Sequence, residues 1–171
     1  MARYAFSAES QAAQPAGAPV TTTFNGYFAA VMSGANAGFR LRRVNLGVRA
    51  GASVPTSQQV TVAVYRQTVA QAGTGATLTA GIPLEVSTNQ TSSIGGLLIT
   101  TAATSGTTGP TIGANALYRF SFNTQSAYDL PFEFLEELWS PIGAANGIAF
   151  VNIGNALPAS HLFTISTEWE E

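Results

Sequence analysis

Residues 39–50 read Phe39-Arg40-Leu41-Arg42-Arg43-Val44-Asn45-Leu46-Gly47-Val48-Arg49-Ala50, and their spacing decides the fold class. Val44, Leu46 and Val48 fall on one side of an extended chain, with Arg43, Asn45 and Arg49 on the other. Alternation at period two is that of a strand with one face in a core. Phe39 and Leu41, opposite Arg40 and Arg42, are one residue out of phase with the run from Val44 onward. A β-bulge near Arg42 and Arg43 is therefore expected.

The same pattern recurs along the chain. Val60, Val62 and Val64 alternate with Thr61, Ala63 and Tyr65; because both faces are partly apolar, this strand belongs in the middle of a sheet. Tyr118, Phe120 and Phe122 alternate with Leu117, Arg119, Ser121 and Asn123. Near the end, His161, Phe163, Ile165, Thr167 and Trp169 share one face, with Leu162, Thr164, Ser166 and Glu168 on the other. Shorter β-prone stretches cover 21–32, with Gly26 as a candidate bulge site, 84–86, 94–100 and 148–153. Residues 130–135 alternate as a strand, although Phe132, Leu135 and Trp139 also fit helical spacing behind Asp129 as a cap. Turns are expected at 33–38, 50–57 and 155–160, and the glycine-punctured region 68–115 reads as long loops at one end of the fold. About eight strands joined by short turns give an all-β fold, an antiparallel two-sheet β-sandwich of jelly-roll type. One domain, 21–171, is expected behind an extended N-terminal arm, 1–20, whose small and polar residues Ala8 to Pro19 include two prolines.

Composition narrows the function. The 171 residues include no lysine and no cysteine, and only 9% are charged. Seven arginines against nine acids cannot supply the basic stripe that phosphate backbones need, so no direct nucleic-acid partner is expected. A disulfide framework and a thiolate zinc site are excluded, and no apolar run reaches the length of a membrane span. His161 is the only histidine, which leaves no histidine cluster for a metal and suits a structural role. Asp129, Glu133, Glu136 and Glu137 form the one internal acidic cluster; as a carboxylate pair or cation site it lacks the facing geometry and the looped ladder those chemistries use. The glycine-rich stretch 73–81 lacks the lysine of a phosphate loop. No enzyme activity and no cofactor are expected.

What remains is binding. Arg40, Arg42 and Arg43 are costly to bury and so face solvent or acids, and the terminal Glu168, Glu170 and Glu171 are their natural complements across a contact. Exposed aromatics such as Tyr128 or Trp139 at a loop-end groove would instead suit sugar stacking. Three passages, Gly38 to Val44 leading into Val60 to Tyr65, Leu130 to Phe134, and Phe163 to Trp169, resemble the small jelly-roll decoration or cement proteins of tailed bacteriophage capsids. That resemblance covers about half the chain and is one of texture, which carbohydrate-binding modules share. It implies a trimer or other symmetric oligomer, the major capsid protein of a virus as partner, and a place on the virion surface. Arg3, Tyr4, Phe6, Arg40, Arg42, Arg43 and Trp169 are the expected capsid or subunit contacts. Removal of residues 1–19 is expected to leave the fold intact and abolish attachment.

Overall fold

The computed structural model describes residues 2–9, 27–50, 56–69, 76–79, 82–84, 92–94, 96–100, 111–133, 135–158 and 161–171. Among these residues there is no helix, and every strand pairing is antiparallel. Eight strand positions make up the sandwich. In one sheet β1 (Arg3–Glu9), β13 (His161–Glu170) and β3 (Phe39–Ala50) lie side by side, and β3 is flanked in turn by β10 (Tyr128–Pro131) and β11 (Leu138–Ser140). The other sheet runs β2 (Tyr27–Met32), β12 (Gly147–Asn152), β4 (Gln59–Val69) and β9 (Tyr118–Asn123). Among these strands the chain crosses between the sheets after β1, β2 and β3, and again after β9, β11 and β12. That order, 1-13-3-10 facing 2-12-4-9, is a jelly roll. Between β4 and β9 the glycine-punctured region, expected as loops, carries among its described residues β5 (Ala76–Thr79), β6 (Ile82–Pro83), β7 (Gly96–Thr100) and β8 (Thr111–Ile112); β7 pairs with β2 and β5 with β7, extending the second sheet, and β6 pairs with β1.

The period-two faces pack as the sequence predicts. Leu41, Val44, Leu46, Val60, Val62, Val64, Phe163, Ile165 and Trp169 all enter the core between the sheets. At its centre Phe28 of β2 stacks on Phe163 of β13, with ring centroids 4.2 Å apart. The expected bulge is present: Glu168 pairs with Arg43 but Trp169 with Leu41, so Arg42 is the extra residue of β3. It lets Leu41 and Val44, three apart, both point inward. A second register shift, in the pairing of β2 with β12, falls at Phe28, and Gly26 lies outside the described residues. The other face of the second sheet is also buried, with Tyr27, Ala30, Met32, Ala63, Tyr65, Ala149 and Val151 in a separate cluster. This burial on both faces explains why β2, β4 and β12 read as nearly continuous apolar runs.

Two expectations change. Arg3–Glu9, counted with the arm, form β1 and pair along their whole length with β13. Tyr4 and the half-buried Phe6 pack on the core, which is why this short stretch holds to the sheet; the rest of the expected arm, residues 10–20, lies outside the described residues. Removal of residues 1–19 therefore takes a strand out of the fold. The stretch 130–135 is a strand only as far as Pro131 and has no helix among its described residues; Phe134 lies outside them. Past that point the bulge breaks the ladder: Phe132 N–H donates to Arg42 O, the chain swings out, and β3 is paired again only from Leu138.

Candidate functional site

The outer face of the first sheet is assembled row by row from its register. One row holds Arg3, Glu170, Arg40 and Trp139, from β1, β13, β3 and β11. The next holds Ala5, Glu168, Arg43 and Pro131, and the third Ser7, Ser166, Asn45 and Asp129. Side chains neighbouring across strands on one face are close enough to interact. Arg43 grips Asp129 through two hydrogen bonds, of 2.8 and 2.6 Å, and Arg49 grips Glu9 through two of 2.6 Å. These hydrogen bonds hold the carboxyls of Glu9 and Asp129 below their ordinary range. Arg3 lies 3.6 Å from Glu168 and 3.7 Å from Glu170.

Arg42 is set apart by the bulge. Its Nη1 donates to Glu137 and its Nη2 donates to Glu170 at 2.5 Å, with the three side chains 15%, 4% and 14% exposed. The hydrogen bond to Glu170, reinforced by the charge of Glu137, raises the guanidinium pKa, so the cation is fixed between two carboxylates. Glu137 is the last residue of the excursion between β10 and β11, so this pair fastens the excursion to the sheet.

At the crest of that excursion Glu136 N–H donates to Glu133 O at 3.0 Å, closing a turn. Leu135 sits at its third position with φ 75°, a value that type II turns reserve for glycine. The side chain is held out with 78% of its surface exposed. Trp139, 52% exposed, and Ile142, 60% exposed, continue the apolar surface. Two shallow depressions meet at this point. One, of about 300 Å³, is lined by Arg40, Leu135, Glu137 and Trp139, and the other, of about 240 Å³, by Phe39, Arg40, Trp139, Ile142 and Glu170 among others. The backbone beneath is tied down: Arg66 donates to Trp139 O at 2.7 Å, Asn146 Nδ2 to Ile142 O at 2.8 Å, and Gly143 N–H to Gly34 O at 2.9 Å. Gly143 has φ 129°, a conformation L side chains avoid, and a Cβ on Gly38 would stand 2.5 Å from Ser140 O. The left-handed Leu135 gives a direct test. Leu135→Gly removes strain of about 1 kcal/mol, so the melting temperature should rise by about 2–4 °C in calorimetry.

The residues expected to make contacts separate into three groups. Arg3, Arg42 and Arg43 share one face with Glu168 and Glu170, but these acids complement them within the chain and not across an interface. Tyr4 and Trp169 are withdrawn from any surface: the register turns both inward, where they stack with centroids 6.2 Å apart at 2% and 0% exposure. Phe6 is half-buried against the same core. Only Arg40 lies at the apolar cluster. Leu135 and Ile142 were not legible as site residues, since an exposed apolar side chain carries no periodic signal. Of the aromatics proposed for sugar stacking, Tyr128 stacks on Phe120 at 4.3 Å, while Trp139 is free to meet a ligand. His161 is buried, and its Nε2 accepts the Thr56 N–H at 3.0 Å, which anchors the end of the 50–57 connection. Asp129 and Glu137 of the acidic cluster bond to different arginines, and among the described residues no three acidic or histidine side chains are grouped to hold a metal ion.

Neither a scan against protein-family models nor a search of curated proteins gives a match to this chain.

Proposed function

We propose that this chain is a virion structural protein that binds the outer surface of a viral capsid and stabilises it by bridging neighbouring subunits of the major capsid protein. The observation that carries this reading is the clustering of Leu135, Trp139 and Ile142 around Arg40. The exposed parts of these three side chains come to on the order of 300 Å², the lower end of the range for the largest apolar patch on a soluble monomer, a patch that is often functional. The rest of that face pairs its charges internally, around a depression of about 600 Å³ lined by Arg3, Arg42, Arg43, Asp129, Glu168 and Glu170 among others. The resemblance of texture to capsid decoration proteins supplies the kind of partner. A jelly roll by itself hosts many functions and does not decide between them. The energetic logic is linkage: a protein that binds the assembled shell more tightly than loose subunits stabilises the shell by that difference.

The test uses capsid shells stripped of accessory proteins, mixed with the full chain and sedimented. Binding that raises the temperature at which the shells open supports the proposal. Full-length protein that stays in the supernatant at micromolar concentration refutes it. A carbohydrate-binding or receptor-binding role has one observation in its favour, the exposed Trp139 between two depressions. It predicts glycan binding that Trp139→Ala abolishes, with no effect of the variant on shell stability.

A further inference from the structure

β9 is hydrogen-bonded only to β4, and its other side faces no strand among the described residues. Thr124 N–H donates to Gln58 O, so in the antiparallel ladder Phe122, Phe120 and Tyr118 also turn their main-chain groups toward β4. Arg119 and Ser121, between them, turn theirs outward, and among the described residues no hydrogen bond meets them there. Edge strands are ordinarily blunted by shortness, by proline or by a bulge. The adjacent edge of the other sheet is blunted in this way: β10 has four residues and ends on Pro131, which has no N–H to offer. β9 has six residues and no proline.

The side chains along this edge define what would pair with it. On the inner side Phe120 stacks on Tyr128 at 4.3 Å, and Tyr118, 39% exposed, meets Phe132 edge-on at 5.6 Å. Phe120 and Tyr128 are only half-buried, so these rings form an apolar floor beside the edge for every second residue of an added strand. On the outer side Arg119 is exposed and makes no hydrogen bond or ion pair among the described residues, unlike Arg3, Arg42, Arg43 and Arg49, each of which has a carboxylate partner. A second β9 does not satisfy it: residues 118–123 contain no acid, and antiparallel pairing of two copies would set both arginines on one face without a carboxylate between them. We infer that β9 takes, as an added strand, an extended segment of another protein in which apolar residues alternate with acidic ones. The apolar side lies over Tyr118, Phe120 and Tyr128, and an acid stands beside Arg119. The inference stands on this edge alone and uses none of the Leu135, Trp139 and Ile142 cluster. Within the capsid reading it supplies the second contact of a bridge, since a chain that holds one subunit through its apolar cluster and a strand of the next makes the second attachment intramolecular.

The test follows amide hydrogen exchange of the full chain by NMR, with two blocked synthetic peptides matched in length to β9. One alternates valine with glutamate, and the other has lysine in place of the glutamate. With the acidic peptide at up to about 1 mM, exchange at the Arg119 and Ser121 amides should slow, as main-chain pairing at the edge demands. The lysine peptide should bind at least about tenfold more weakly, and Arg119→Glu should reverse that order. Ser121→Pro removes an outward N–H and should abolish binding, whereas Ser121→Ala keeps the N–H and should bind as the original does. Both side chains are exposed, and an unchanged melting curve confirms that each variant is folded; should the proline variant not fold, Arg119→Glu decides. Amides that do not respond to the acidic peptide overturn the inference. So does equal binding of the two peptides, or a preference indifferent to Arg119→Glu, or binding by a folded Ser121→Pro. Protection of the same amides that grows with the concentration of the chain alone would place a second copy on the edge and overturn it too. Because the experiment contains no shells, its failure is separate from failure of the capsid reading: a chain that takes the acidic strand but binds no shell would leave the edge site standing and remove the function.

Discussion

Deletion of residues 1–9 should leave a chain that does not fold cooperatively, and Trp169→Ala should lower the midpoint of urea unfolding by about 2 M. The two changes attack one contact from opposite sides. Trp169 is wholly buried on the inner face of β13, in a row with Tyr4 of β1, Leu41 of β3 and Leu138 of β11. Its ring stacks on Tyr4, and its indole N–H donates to the Glu171 carboxylate at 3.3 Å. Truncating a buried tryptophan to alanine costs about 3–5 kcal/mol in lost transfer energy and cavity formation. Against a total stability of about 5–15 kcal/mol, that is a large fraction. With a urea slope of about 2 kcal/mol/M, the midpoint falls by about 2 M. Deletion of β1 does more, since it uncovers the Tyr4 side of Trp169, opens the whole edge of β13 and removes Phe6. Trp169→Phe should recover most of the loss, because an aromatic ring of nearly the same reach still covers Tyr4. If residues 1–9 were instead a free arm, deleting them would leave the urea midpoint unchanged, and that result would overturn the assignment of β1 as a structural strand.

The contrast between β1 and β3 shows where the sequence speaks and where it does not. In β3 the phase of the alternation reverses between Leu41 and Val44, and only an extra residue can keep both on the core side, so the bulge at Arg42 is written in the pattern itself. In β1 the alternation of Tyr4, Phe6 and Ala8 spans three small or aromatic positions and runs directly into the proline-containing stretch, so composition outweighs pattern and the segment reads as a tail. Its strand state is imposed by β13, whose inner face needs a cover for Trp169. The same holds at 132–137. Alternation continues there through Phe132 and Phe134, but the partner strand bulges, and a local pattern cannot report an irregularity in a strand some 90 residues away. The candidate site was the least legible part. Arg40 could be singled out as an arginine on a strand, yet nothing distinguished it from Arg42 and Arg43, because that difference arises at the bulge: Glu170 pairs with Arg40 in the register, but its carboxylate bonds to Arg42.

Arg42→Met should destabilise the protein by about 2–3 kcal/mol, a fall in melting temperature of about 5–10 °C, although a surface arginine is ordinarily replaceable at little cost. Substitution at exposed arginines such as Arg49 should cost far less, because exposed pairs add little to stability. Arg42 differs because its partners are nearly out of solvent: Glu137 is 4% exposed and Glu170 14%. Without the guanidinium, two carboxylates remain close together with little water to screen them, and a half-buried charge left without its partner is the costly outcome. The loss should therefore come from the acids left behind and not from the missing arginine. That distinction is measurable. Glu137→Gln and Glu170→Gln placed on Arg42→Met should return the melting temperature to within about 3 °C of the original, since a neutral amide removes the repulsion at about the same volume. The excursion that carries Leu135 is fastened to the sheet through Glu137, so Arg42→Met should also loosen the apolar cluster while leaving each of its exposed residues in place. A fall in melting temperature that the two neutral substitutions do not repair would show that Arg42 acts through packing of its aliphatic stem at the bulge, and the charge argument would fail.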